Sequence, residues 1–191
     1  MLYRRWSPLG RMLVLSLVLF VLTSVIGYQT SQLPGGGETS RSAIEALAKA
    51  LSPMTKLDPP LMMAAIFLNN AIKALVVIVL GFAFGIVPVV FLAVNGVIIG
   101  LVVGLVVGMA GPWVAVAALA PHGVIEIPAL LLASALGLRV AGAVIKRITG
   151  RPANPGWEFK NGLVVYAKFV LPALFVAAVI EVFITPLLIR R

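Results

Sequence analysis

The residues best able to do chemistry lie in Pro121-His122-Gly123-Val124-Ile125-Glu126-Ile127-Pro128, inside an apolar run. The stretch holds the chain's one histidine, a glutamate four residues on, and a proline at each end. At i,i+4 spacing on a helix, His122 and Glu126 face the same way. An ionisable side chain at membrane depth costs roughly 3 kcal/mol, so it normally faces the protein interior and marks a site there. Pro121 and Pro128 each remove a backbone donor, and the carbonyls one turn earlier lose partners. A break at Pro121, Gly123 and Pro128 would leave a half-helix with free amides pointing at the core, a recurrent mark of ion and substrate sites. The alternative is a simple kink, which membrane helices tolerate.

Other polar residues fall at a matching depth. Asn69 and Lys73 share a helix face, about 12 and 18 Å from the outer end of their span at the helical rise, with Asn70 beside them. Asn95 reaches the same level from the opposite side, and Glu181 lies about 13 Å from the outer end of the last span. Four helices thus contribute to one polar layer holding one lysine, two glutamates and one histidine. Lys73 is expected to pair with Glu126 or Glu181, because an unpaired charge there is costly. The remaining carboxylate must be protonated, bonded to His122 or wet. Two readings stay open: a cluster that clamps helices together, with Asn as interhelical glue, or a coupled site of the kind that relays protons or ions.

The elements that must position these groups are membrane spans. The chain has 191 residues, 61% of them hydrophobic and 11% charged, with mean hydropathy +1.13. A soluble domain carries about 25% charged residues. Apolar runs long enough to cross a bilayer cover about 9–27, 61–80, 86–108, 113–145 and 163–188. The first has a basic start like a signal peptide, yet its apolar core is too long and no Ala-x-Ala site follows, so it reads as a retained helix. Asp58-Pro59-Pro60 opens the second as an N-cap followed by proline in the first turn. The fourth is overlong for one simple span, which a break near Pro121 and Pro128 would explain. The outer loop after the first span has a flexible Gly35-Gly36-Gly37 piece, then Ser42-x-x-Glu45 as a capping-box pattern. Ile44, Leu47 and Leu51 follow on one face, giving a short helix on the membrane surface. Thr149–Asn161 reads as an inner loop anchored by Trp157.

The net charge of +9 does not point to nucleic acid. The basic residues sit at span ends, where lipid headgroups and the positive-inside rule account for them. Arg4, Arg5, Arg11, Lys146, Arg147, Arg151 and Lys160 outweigh Arg41, Lys49, Lys56, Arg190 and Arg191, which favours a cytoplasmic N-terminus.

Gly96, Gly100, Gly104 and Gly108 recur every four residues, and Gly81 and Gly85 repeat that spacing. Such a ridge lets another helix approach closely in lipid. It serves packing within one subunit or a homo-oligomer through the same surface.

The absence of cysteine excludes disulfides, a thiol nucleophile and thiolate metal sites. There is no H-E-x-x-H, G-x-S-x-G or S-x-x-K motif and no phosphate-cradling loop. His122, Glu126 and Glu181 give at most three metal ligands. No enzyme, metal or cofactor is expected.

The order and spacing of Phe67-Leu68-Asn69-Asn70, Gly81…Gly85, Asn95-Gly96…Gly100, Pro121-His122-Gly123…Glu126-Ile127-Pro128 and Ile180-Glu181 resemble the stage II sporulation protein M family of polytopic membrane proteins. The resemblance implies a membrane scaffold, since the sporulation member works with cell-wall-degrading enzymes during engulfment and localises them. It also implies that the polar layer is a family site.

The expectation is therefore an all-α integral membrane helical bundle, residues 1–191 forming a single membrane domain of about five transmembrane helices, multi-pass in the cell membrane. It scaffolds or anchors membrane or envelope partners without catalysis. The alternative is a small channel or transporter for ions, protons or small solutes through Asn69, Asn70, Lys73, Asn95, His122, Glu126 and Glu181.

Overall fold

A backbone in hydrocarbon has no water to bond, so its N–H and C=O groups must be satisfied within helices. The computed structural model describes residues 8–189, with side chains except at positions 39, 47–48, 50–51, 53–55, 118–122 and 188–189. Every described element is helical: α1 (Pro8–Gln32), α2 (Gly36–Thr55), α3 (Pro59–Val79), α4 (Ile86–Ala110), α5 (Pro112–Ile148), α6 (Pro155–Val165), α7 (Leu171–Val179) and α8 (Thr185–Ile189). Five stretches are long and apolar enough to cross a bilayer: Pro8–Gln32, Pro59–Phe82, Ile86–Ala110, Gly123–Ile148 and Pro155–Leu187.

The fifth α-helix is the centre of the bundle. Its span Gly123–Ile148 is 61% buried, against 11% to 28% for the other four. Small residues make that possible, because helices in lipid associate by close packing rather than by a hydrophobic force. Ala71, Ala74 and Ile78 of α3 meet Ala129, Ala133 and Leu136 of α5, with Tyr166, Val170 and Leu174 closing the third side. A smaller cluster joins Phe20, Leu92 and Leu131 of α1, α4 and α5. Near the end of α3 the backbones touch, since a Cβ on Gly81 would strike Gly137.

The glycine ridge is occupied within the chain. A Cβ on Gly96 would strike Thr23 and the Phe20 carbonyl, one on Gly100 the Ser24 carbonyl, and one on Gly104 the Ser31 side chain. All three glycines are buried under α1 and are not available to a second copy. Gly108 is exposed, with open space where its Cβ would be. The homo-oligomer expected through this ridge is therefore corrected to a contact inside one subunit. Thr23, Ser24, Thr30 and Ser31 of α1 each bond a carbonyl of their own helix, which offsets the cost of those hydroxyls in lipid, whereas the buried Ser16 hydroxyl has no partner among the described residues.

Several expectations about local structure also change. Helix α5 runs unbroken for 37 residues through Pro121, Gly123 and Pro128. Each proline deletes a single donor, and the surrounding turns hold. The excess length of this region is instead overhang. Gly85, in the α3–α4 turn, lies against Ala141, so residues 142–148 continue beyond it. The Gly35-Gly36-Gly37 piece is a tight turn rather than a flexible linker: Gly35 has φ 76°, and Gly36 is buried against Thr30 and Ser31. Helix α2 starts there, so Ser42 and Glu45 lie inside it and form no capping box. The segment after α5 turns helical at Pro155, where Asn154 caps α6 by accepting a hydrogen bond from the Trp157 amide at 3.0 Å.

Two connections constrain the rest. A single residue, Gly111 at φ 87° and ψ 167°, joins α4 to α5, a conformation essentially reserved for glycine. Helices α6, α7 and α8 follow one another through π-helical turns at Tyr166–Val170 and Ile180–Ile184. There the amides of Leu171 and Thr185 bond the carbonyls of Tyr166 and Ile180, five residues back. Pro172 and Pro186 come next in sequence. Each lacks an N–H and would clash with the carbonyl four residues back, and the widened turn relieves that clash.

Candidate membrane-embedded polar site

Glu126 sits on α5 about 21 Å from Pro112 and about 22 Å from Ala141, so it lies near mid-bundle at the helical rise of 1.5 Å per residue. It is half-buried. Its Oε1 accepts a hydrogen bond from Asn70 Nδ2 on α3 at 3.0 Å. Asn70 Oδ1 in turn accepts from Asn69 Nδ2 at 3.4 Å, near the long limit for such a bond. The cluster that fixes Asn70 opposite Glu126 is apolar: Ala71 and Ala74 pack on Ala129 and Ala133 immediately beside it.

Two further ionisable residues of the expected layer lie on elements packed against α5. Glu181 is half-buried and lies in the second π-helical turn, and Lys73 is exposed on α3. Glu126 thus takes its hydrogen bond from Asn70 rather than from Lys73. Asn95 behaves differently from the other amides. Its Nδ2 donates to the Phe91 carbonyl at 2.7 Å, one turn back in its own helix. The side chains of His122 and Pro121 lie outside the described residues, as do Arg4, Arg5, Arg190 and Arg191, on which part of the orientation argument rests.

Gly123 and Pro128, expected at a break, instead line an open apolar groove of about 550 Å³ with Val103, Val107, Ala115 and Ile127. A second cavity, of about 200 Å³, lies near the start of α1 and is bordered by Arg139 and Glu158. Glu126 borders neither. Among the described residues no three His, Cys, Asp or Glu side chains come together as a metal-binding group.

Sequence reasoning missed two features. Tyr166, buried in the first π-helical turn, donates its hydroxyl to the Ala71 carbonyl at 2.8 Å, next to Asn70. Arg139 on α5 forms an ion pair with Glu158 of α6. The signal for that pair was present, since an arginine within an apolar run requires a partner. Pro172 and Pro186 carried the signal for the π-helical turns.

Chemically, Asn70 and Glu126 make a polar bond between two core helices. Compared with known families, the chain matches the model of the family described as Stage II sporulation protein M over residues 16–186. No curated protein and no solved structure matches it.

Proposed function

Given that the chain belongs to the stage II sporulation protein M family and is a multi-pass membrane protein, we propose that it is a non-enzymatic scaffold that anchors membrane or envelope partners. The observation that carries this reading is the Asn70–Glu126 hydrogen bond. It commits the carboxylate at mid-bundle to holding α3 against α5, which supports a rigid framework over a pathway. The apolar outer faces, those of α1 above all, are free to meet other membrane proteins. Photo-crosslinkers on the exposed positions Leu15, Val18 and Leu22 should capture discrete membrane partners in native membranes. Capture of lipid alone, from protein that folds normally, would overturn the scaffold.

We propose further that the N-terminus lies on the cytoplasmic side of the cell membrane, a reading supported by the excess of basic residues at that set of span ends. A chain without cysteine makes this simple to check with Gly37→Cys and Arg151→Cys. An impermeant maleimide added to intact cells should label the first and spare the second.

One observation favours a second reading, conduction of ions or protons: the half-buried, ionisable Glu181 lies in a π-helical turn, a feature frequent at functional sites. Liposome flux that is lost in Glu126→Gln and His122→Ala would establish it. Purified, folded protein that passes no ion over a wide set would remove it.

A further inference from the structure

The cavity of about 200 Å³ near the start of α1 has a lining unlike the rest of the molecule. Arg139, Gly142 and Lys146 of α5 form one wall, and Asn154, Trp157 and Glu158 at the start of α6 form the other. Positions 139, 142 and 146 fall on one helix face at spacings of three and four. Gly142 lies between the two cations, and a Cβ there would meet nothing within 4 Å, so the missing side chain leaves open space between them. Glu158 holds Arg139 by an ion pair, and the Arg139 side chain is 14% exposed. A guanidinium has five N–H donors, and the Nε of Arg139 is buried with no hydrogen-bond partner among the described residues. Two cations against one carboxylate leave the cavity net positive.

Most first-turn amides of α6 are not available to a ligand. Those of Trp157 and Glu158 are already taken by Asn154, and Pro155 has none. An anion would be held by side-chain cations. The site sits where α5 leaves the bundle: Ala141 is level with the α3–α4 turn, Lys146 lies about 8 Å beyond at the helical rise, and Trp157 is 57% exposed. Tryptophan is enriched at the headgroup level of bilayers, and basic pockets between spans at that level suit anionic headgroups.

We propose that this cavity binds a phosphate group, that of an anionic phospholipid headgroup, between Arg139 and Lys146. Arginine supplies directional donors for phosphate and lysine a point charge. Glu158 serves to orient Arg139.

The test is native mass spectrometry of the detergent-purified full chain titrated with phosphatidylglycerol, phosphatidylcholine or inorganic phosphate. Wild type should retain phosphatidylglycerol in preference to phosphatidylcholine. Lys146→Gln should weaken that binding about fivefold, the value of one interfacial cation. Gly142→Leu should abolish it by filling the cavity, while Lys168→Gln, an exposed lysine outside the cavity, should leave it intact. Unchanged lipid-free melting temperatures would establish that both cavity variants fold. Displacement of bound lipid by millimolar inorganic phosphate, lost in Lys146→Gln, would keep the phosphate site and assign it to the free ion. Equal retention of the two lipids without such displacement would overturn the proposal. So would wild-type binding in both cavity variants.

Discussion

Pairing Asn70→Ala with Glu126→Ala in a double-mutant cycle tests whether the mid-bundle contact holds the helices together. The donor and acceptor lie 3.0 Å apart, and both residues are half-buried. In water a hydrogen bond to a charged group contributes about 1.5–3 kcal/mol. Between membrane helices the measured coupling is smaller, about 0.6 kcal/mol on average and about 1.7 at most, because the unfolded helices find other partners in the bilayer. The expected coupling is thus about 0.6–1.7 kcal/mol, towards the upper end if Glu126 is ionised. Either single variant should cost more than this, since each also leaves a small cavity and one unpartnered polar group. The assay is reversible unfolding in mixed micelles, with helicity followed by circular dichroism. A second cycle, Asn95→Ala with Glu126→Ala, supplies the control. Asn95 bonds its own helix, so its effect should add to that of Glu126 within about 0.3–0.5 kcal/mol. Coupling at Asn70 no larger than at Asn95 would refute the clamp.

The same unfolding assay checks three other expectations. Gly100→Ala drives a Cβ into the Ser24 carbonyl and should cost about 1–3 kcal/mol as α1 backs away, whereas Gly108→Ala meets open space and should gain up to about 1 kcal/mol of helix propensity. Gly111→Ala must hold φ 87° with a Cβ and should lose about 1–3 kcal/mol; a neutral result would mean that the turn opens. Tyr166→Phe removes the bond to the Ala71 carbonyl and should cost about 0.5–1.5 kcal/mol.

Much of the fold is legible because lipid allows so few solutions: an apolar run of sufficient length must be a helix. The spans follow from that, as do the four-residue spacing of the glycines and the shared level of Asn70 and Glu126. What resists reading is choice among equals. Asn95 carries the same amide as Asn70, yet a short side chain on a helix can always reach the carbonyl four residues back, and nothing in the sequence says which bond it takes. Proline is ambiguous in the same way. Pro121 and Pro128 leave α5 continuous, while Pro172 and Pro186 accompany π-helical turns, and the residue type alone does not distinguish the two outcomes. The glycine ridge offered a smooth surface to any helix. That α1 rather than a second copy covers it is a matter of tertiary arrangement. Arg139 escaped because its partner Glu158 lies in a segment that reads as loop until Asn154 is recognised as a cap.

The one-residue connection at Gly111 also bears on how the chain is made. Most membrane hairpins expose a loop as they enter the bilayer, and charges on that loop help decide which way each helix points. Between α4 and α5 there is no loop to read and no residue to carry a charge. The direction of the pair therefore rests on charges in the segments on either side. An insertion at Gly111 would do more than loosen a turn: it would give the translocation machinery a signal at a place where this chain offers none.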